Sequence, residues 1–198
     1  PNAHEKFVPS TYLIALKANV ALEKLAEAEE TLKKIEAKFP GQGESINDAL
    51  FTIANGYDRL ASKTEKSDAA KAKAYLIKAG QYYYRWASDV FTKTIEPRHY
   101  KTIGDKLFVL ARETGNTKYY KMALEMYQRY NSCRAAPLVG EEHYNFQRIL
   151  ADCYLNTGRL KEAEDIYVEK LKAADPKAER YLQERLANIY LLEAKAAA

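Results

Sequence analysis

Residues 149–176 read ILADCYLNTGRLKEAEDIYVEKLKAADP, and their reading decides the fold. One helix ends at Asn156, the chain hinges at Gly158, a second amphipathic helix runs from Leu160 to Ala174, and Pro176 stops it. Ala151 and Ala163 are small because two antiparallel helices cross closely there, and a larger side chain would force them apart. A hairpin of this build cannot bury its apolar face alone, so it predicts neighbours of the same kind.

Outward from this hairpin the chain reads as helices nearly end to end. Between Ser10 and Phe39, Leu13, Leu16 and Val20, then Leu25, Ala28, Leu32 and Ile35 keep helical spacing, with a phase slip at Glu23 to Leu25 that predicts two helices. Pro40-Gly41 ends the second. Ser45 to Ala61 follows, with Ile46, Leu50, Ile53, Ala54, Tyr57 and Leu60 on one stripe, and Ser62 to Ser67 reads as a loop. Asp68 is placed to cap a helix from Ala69 to about Thr92. Pro97 opens a helix to Thr114, Gly115-Asn116 breaks it, and Thr117 is read as the cap of a helix to Asn131. After a loop over 132–140 come Glu141 to Asn156, Leu160 to Ala174, and Ala178 to the end, about nine helices in all. Tyr154 and Tyr190 lie 36 residues apart, and Tyr57 and Tyr154 lie 97 apart, or about two units of 48. Such a helix-pair period predicts an all-α solenoid.

Composition agrees. In 198 residues there are only 8 glycines and 6 prolines, which favours long helices over meandering sheets, and 47% hydrophobic content suits a folded core. The net charge of +4 is spread along the chain without a basic block, so nucleic acid is neither required nor excluded. No apolar run approaches the roughly 18 residues of a membrane span. The chain opens at Pro1 without Met, which leaves room for a removed leader, anchor or neighbouring domain. Cys133 and Cys153 form no CxxC pair. Cys153 sits in an apolar helical pattern, which predicts free thiols; a bridge between them is the alternative in an exported protein.

The segment 149–176 resembles a tetratricopeptide (TPR) repeat. Leu150 and Ala151 match the large-small pair of the family's first helix, Tyr154 its later aromatic, Gly158 the hinge, Ala163 the small residue of the second helix, Tyr167 the following aromatic and Pro176 the terminator. Tyr12, Ala15, Ala28, Leu32 and Pro40 form a weaker copy, and Leu186, Ala187 and Tyr190 repeat the first-helix pattern in the last helix. The units with Ile53, Ala54, Tyr57 and Ala79, and with Ile103, Gly104, Leu107, Ala123 and Tyr127, carry roughly ten extra residues and read as hairpins with lengthened helices. The resemblance implies a single domain, a right-handed superhelix of about four hairpins (units 9–43, 44–95, 96–140 and 141–176) plus a half-unit at 177–198. The style of FPGQGESINDALFTIANGYDRL at 39–60 also looks like that of bacterial cell-envelope TPR proteins, which implies a periplasmic or envelope location, with the cytoplasm as the alternative.

Catalytic patterns are thin. His4, His99 and His143 fall in three units without a metal-type neighbour at i+4, and Glu141-Glu142-His143 is explained by acidic residues favouring a helix's first turn. Neither a GxSxG motif nor a phosphate-binding glycine loop occurs. The expectation is a non-catalytic protein without cofactor or metal. In the family, first helices line a concave groove. Projecting one step off the packing stripe gives Asn55 and Arg59, then Arg98, Lys101 and Asp105, then Asn145, Arg148, Asp152 and Asn156, and finally Tyr181, Glu184 and Asn188. Such a face suits an extended peptide held through its amides and carboxylates. The family's five-residue carboxylate clamp is not reproduced. The 16 tyrosines are expected mainly in the packing between hairpins, although of Tyr82, Tyr83, Tyr84 and Trp86 at least one should be exposed or at an interface, since consecutive residues diverge by about 100°. The leading expectation is a scaffold for a protein or peptide partner, or for a second copy of itself. The alternative is a module that binds RNA or polysaccharide through Arg98, Lys101, Arg148 and exposed tyrosines.

Overall fold

The computed structural model describes residues 3–88, 96–172 and 176–197. Among them the chain is all-α, with nine helices: α1 (Ala3–Ala21), α2 (Leu25–Lys38), α3 (Gly43–Thr64), α4 (Ala69–Ser88), α5 (Pro97–Thr114), α6 (Thr117–Cys133), α7 (Gly140–Asn156), α8 (Leu160–Leu171) and α9 (Pro176–Ala197). They fall into two compact units, Pro1–His99 and Tyr100–Ala198. In the first, α1 packs on α2 and α3, and α3 packs on α2 and α4; in the second, α7 packs on α6 and α8, and α8 on α9. Packing that passes from neighbour to neighbour in this way is that of a helical-repeat solenoid.

The hairpins share a device that the sequence hides. In α3, α5 and α7 a small residue (Ala54, Gly104, Ala151) is followed directly by a side-chain acceptor (Asn55, Asp105, Asp152). In α4, α6 and α8 a fully packed alanine (Ala79, Ala123, Ala163) stands one turn before a buried tyrosine (Tyr83, Tyr127, Tyr167). The small residues let the helices approach, and each tyrosine hydroxyl then donates across the hairpin: Tyr83 to Asn55 Oδ1 at 2.6 Å, Tyr127 to Asp105 Oδ1 at 2.8 Å and Tyr167 to Asp152 Oδ1 at 2.6 Å. A ring that is almost wholly buried can keep its polar end only with such a partner. At the corresponding register of α1 and α2 stand Leu16 and Leu32, both buried apolar residues in place of the acceptor and the tyrosine. Gly104 marks a close crossing, for a Cβ there would lie 2.8 Å from Cε1 of Tyr127.

Longer ties supplement this pairing. Glu29 of α2 accepts from the Tyr57 hydroxyl of α3 at 2.8 Å and from Lys78 Nζ of α4 at 3.0 Å. Burial works against its charge, but these donors hold its carboxyl below the ordinary value. In the second unit Ala151, Leu155, Ala163, Tyr167, Leu182, Leu186 and Ile189 make one cluster across α7, α8 and α9. Gly158, at φ +78°, adopts the left-handed conformation that closes α7 and launches α8.

Several expectations need correction. Helix α3 runs on to Thr64, so Ser62 to Thr64 are helical rather than loop. The cap of α6 is Asn116, whose Oδ1 accepts from the Lys118 amide at 2.9 Å; Thr117 is already inside the helix. Asp68 does cap α4, accepting from the Lys71 amide at 2.9 Å. Helix α9 begins at Pro176 rather than Ala178, with the proline at the first helical position, where its missing N–H costs nothing. The stripe of α9 is Leu182, Leu186 and Ile189, while Tyr190, turned about 100° away, is 49% exposed. None of Tyr82, Tyr83, Tyr84 and Trp86 is exposed, since Phe51 and Tyr57 of α3 pack on three of them. The expected extension of α4 to Thr92 lies outside the described residues; α8 ends at Leu171 with Lys172 as its cap, and 173–174 lie outside the described residues. Both cysteines are free, Cys133 exposed and Cys153 buried, so the bridge is not formed. The lengthening is evident in the helices themselves: α3 and α4 have 22 and 20 residues against 17 and 12 in α7 and α8.

Candidate functional site

The projected groove residues divide by what their side chains already hold. In the first unit Asn55 accepts from Tyr83, and Arg59 donates from Nη2 to the Val20 carbonyl at 2.8 Å, pinning α3 to the end of α1. Arg98, also at the start of α5, pairs with Glu96. These three serve packing and helix ends.

In the second unit the residues converge. Lys101 and Asp105 of α5 and Asn145 of α7 line one cleft of about 370 Å³, together with Glu141, Glu142, Phe146 and Ile149 of α7. The helical spacing of three and four places these side chains on facing stripes of α5 and α7. Phe146 is buried and Ile149 half-buried, which gives the cleft an apolar floor. Phe146 is fixed by the edges of Tyr127 and Tyr130, at 5.7 and 5.6 Å between centroids. Lys101 Nζ bonds Asp105 Oδ2 at 3.1 Å, so their charges cancel. Glu141 and Glu142 have no ion-pair partner among the described residues and leave the rim negative. Such a cleft can take a basic side chain at the rim and an apolar one on the floor.

Arg148, Asp152, Asn156 and Tyr181 form the neighbouring cluster. Asp152 accepts from Tyr167 at 2.6 Å and from Tyr181 at 2.8 Å and 2.9 Å, and Arg185 Nε lies 3.5 Å from its Oδ1. Burial first, and then the charge of Asp152, push the Tyr167 and Tyr181 hydroxyls upward, so both stay protonated donors. The Tyr181 ring has two guanidinium neighbours, Arg185 at 5.0 Å and Arg148 at 5.8 Å from its centroid. Asn156 Nδ2 donates back to the Asp152 carbonyl at 2.7 Å. Glu184 pairs with Arg180 at 3.2 Å, and Asn188 is exposed on α9.

A second cleft of about 220 Å³ opens beside this cluster, lined by Phe108, Arg112, Tyr120, Asp152, Asn156 and Arg185. Arg112, Tyr120 and Arg185 are absent from the sequence projection. Arg185 is within reach of the same projection, one turn beyond Tyr181 on the same helix face, whereas Arg112 lies beyond the stretch of α5 that the projection covers. Glu141 and Glu142, read from sequence as helix-dipole residues alone, also line a cleft.

No protein-family model matches this chain, and no curated protein gives a significant match. No helix among the described residues is long and apolar enough to cross a membrane.

Proposed function

We propose that the chain is a TPR-like, non-catalytic scaffold whose cleft between α5 and α7 binds an extended segment of a protein partner. One observation carries the reading: Lys101, Asp105 and Asn145, chosen as groove residues from the repeat register, line a single cleft with an apolar floor. Its unpaired Glu141 and Glu142 select a segment in which a basic residue adjoins an apolar one, with the Asn145 amide available to the segment's backbone. The same charges repel a phosphate backbone, which weighs against RNA at this cleft.

The test is selection from a random peptide library on the full chain, with a Glu141→Lys, Glu142→Lys, Asn145→Ala variant as control. The selected peptides are expected to pair Arg or Lys with a large apolar residue and to bind the variant roughly tenfold more weakly, with the melting temperature only a few degrees lower, since two lysines in the first turn of α7 oppose its dipole by about 1 to 2 kcal/mol. Equal affinity for both proteins would refute the cleft.

A further inference from the structure

The cleft lined by Arg112, Tyr120, Asn156 and Arg185 belongs to neither the peptide reading nor the hairpin packing, and its chemistry is different. Four helices of one unit meet there: α5 brings Arg112, α6 Tyr120, α7 Asn156 and α9 Arg185. Tyr120 is the decisive residue. Only 7% exposed, it packs edge-on against Phe108 at 6.1 Å between centroids, yet its hydroxyl has no hydrogen-bond partner among the described residues. Tyr83, Tyr127 and Tyr167 each have one, whereas Tyr119, also 7% exposed, has none among the described residues either, so what sets Tyr120 apart is its place in the lining of the cleft. The Tyr120 ring is buried but its hydroxyl is the solvent-reachable end, in the lining of the cleft, where a ligand atom can accept from it.

The charges point the same way. Arg112 has no carboxylate in ion-pair range among the described residues, and its guanidinium lies 6.0 Å from the Phe108 ring centroid. Arg185 is shared with Asp152 at 3.5 Å. Asp152 is the one acidic group in the lining, and its oxygens already accept from Tyr167 and Tyr181. It offsets one guanidinium and leaves the cleft with a single positive excess. Burial raises the Tyr120 hydroxyl, with Asp152 adding to the effect and Arg112 and Arg185 opposing it, so the group enters as a proton donor.

We propose that this cleft is an oxyanion site that takes a phosphoryl group. Donors from four helices reach it from several directions, which suits a tetrahedral group with three or more acceptor oxygens better than a planar carboxylate with two. The two guanidinium groups supply charge-assisted bonds, Tyr120 a neutral O–H, and Asn156 the amide N–H not used on the Asp152 carbonyl.

The test is NMR of the full chain, following arginine side-chain Nε–H signals during titration with inorganic phosphate at fixed ionic strength. Parallel titrations use O-phosphoserine, acetate and a single-stranded RNA. Phosphate is expected to shift the Arg112 and Arg185 signals saturably; Arg112→Ala weakens binding roughly tenfold and Tyr120→Phe roughly threefold, with unchanged melting temperatures showing that both variants fold. Tighter binding of O-phosphoserine assigns the site to a phosphorylated side chain, and binding of inorganic phosphate alone to the free anion; either supports the proposal. Uniform shifts at all surface arginines, meaning an adventitious ion only, would overturn it. So would acetate binding as tightly as phosphate, RNA binding where both phosphates fail, or Arg112→Ala and Tyr120→Phe proteins that bind as the parent does.

Discussion

Tyr127 and Tyr167 show how a single hydroxyl can set a helix pair. Each ring is wholly buried, and each hydroxyl reaches an aspartate on the facing helix. Tyr127→Phe keeps the ring and removes the bond, so it should cost about 1 to 2 kcal/mol in urea unfolding. Gly104→Ala brings a methyl against the same ring, 2.8 Å from Cε1. Despite alanine's better helix propensity, we expect a net loss of about 1 to 3 kcal/mol, because the ring has no room to yield. Both hydroxyls are pushed upward, by burial first and then by the neighbouring carboxylates. Since the folded state holds these protons more tightly than the unfolded chain, their stabilisation is complete below the ordinary tyrosine value of about 10 and is lost as pH rises beyond it. Thermal melting should therefore be flat to about pH 9 and fall above pH 10, less steeply in the Tyr127→Phe, Tyr167→Phe double variant.

At the scale of the element, α9 provides the clearest test of which face is packed. Ile189→Ala should cost about 2 to 4 kcal/mol, whereas Leu191→Lys, at a position 54% exposed, should change stability by less than about 0.5 kcal/mol. The sequence reading put Tyr190 on the stripe through its likeness to Tyr154; it erred because an aromatic one position from Ile189 fits a repeat motif while pointing elsewhere. Helix existence is otherwise legible from apolar spacing, with Pro or Gly breaks at most boundaries, a phase slip between α1 and α2, and a polar segment between α3 and α4. Caps were less so: Asn116 and Thr117 are both good capping types, and only the bond to the Lys118 amide separates them. The candidate groove was half legible. Register located Lys101, Asp105 and Asn145, but it cannot tell a side chain facing solvent from one reaching a facing tyrosine, as Asn55, Asp105 and Asp152 do. Thiol labelling follows from the same packing. Cys133 should react in the native state, while Cys153, buried and with its thiol pushed upward by that burial, should react only on unfolding.

For the whole molecule, a net charge of +4 conceals opposite local characters in the second unit. The cleft between α5 and α7 is negative at its rim, and the one beside Asp152 has an excess guanidinium. A global charge count therefore predicts neither partner, and the two sites should respond to different ligands. The claim that matters most is that the α5 and α7 cleft holds a protein segment. Fluorescence anisotropy of a library-selected peptide, on the parent and on the Glu141→Lys, Glu142→Lys, Asn145→Ala protein, addresses it at about 50 and about 200 mM salt with single-stranded RNA as competitor. The account predicts peptide binding that persists at the higher salt, falls roughly tenfold in the variant and is not displaced by RNA. Equal binding by the variant, or displacement of the peptide by RNA in low salt that vanishes at the higher concentration, would contradict it.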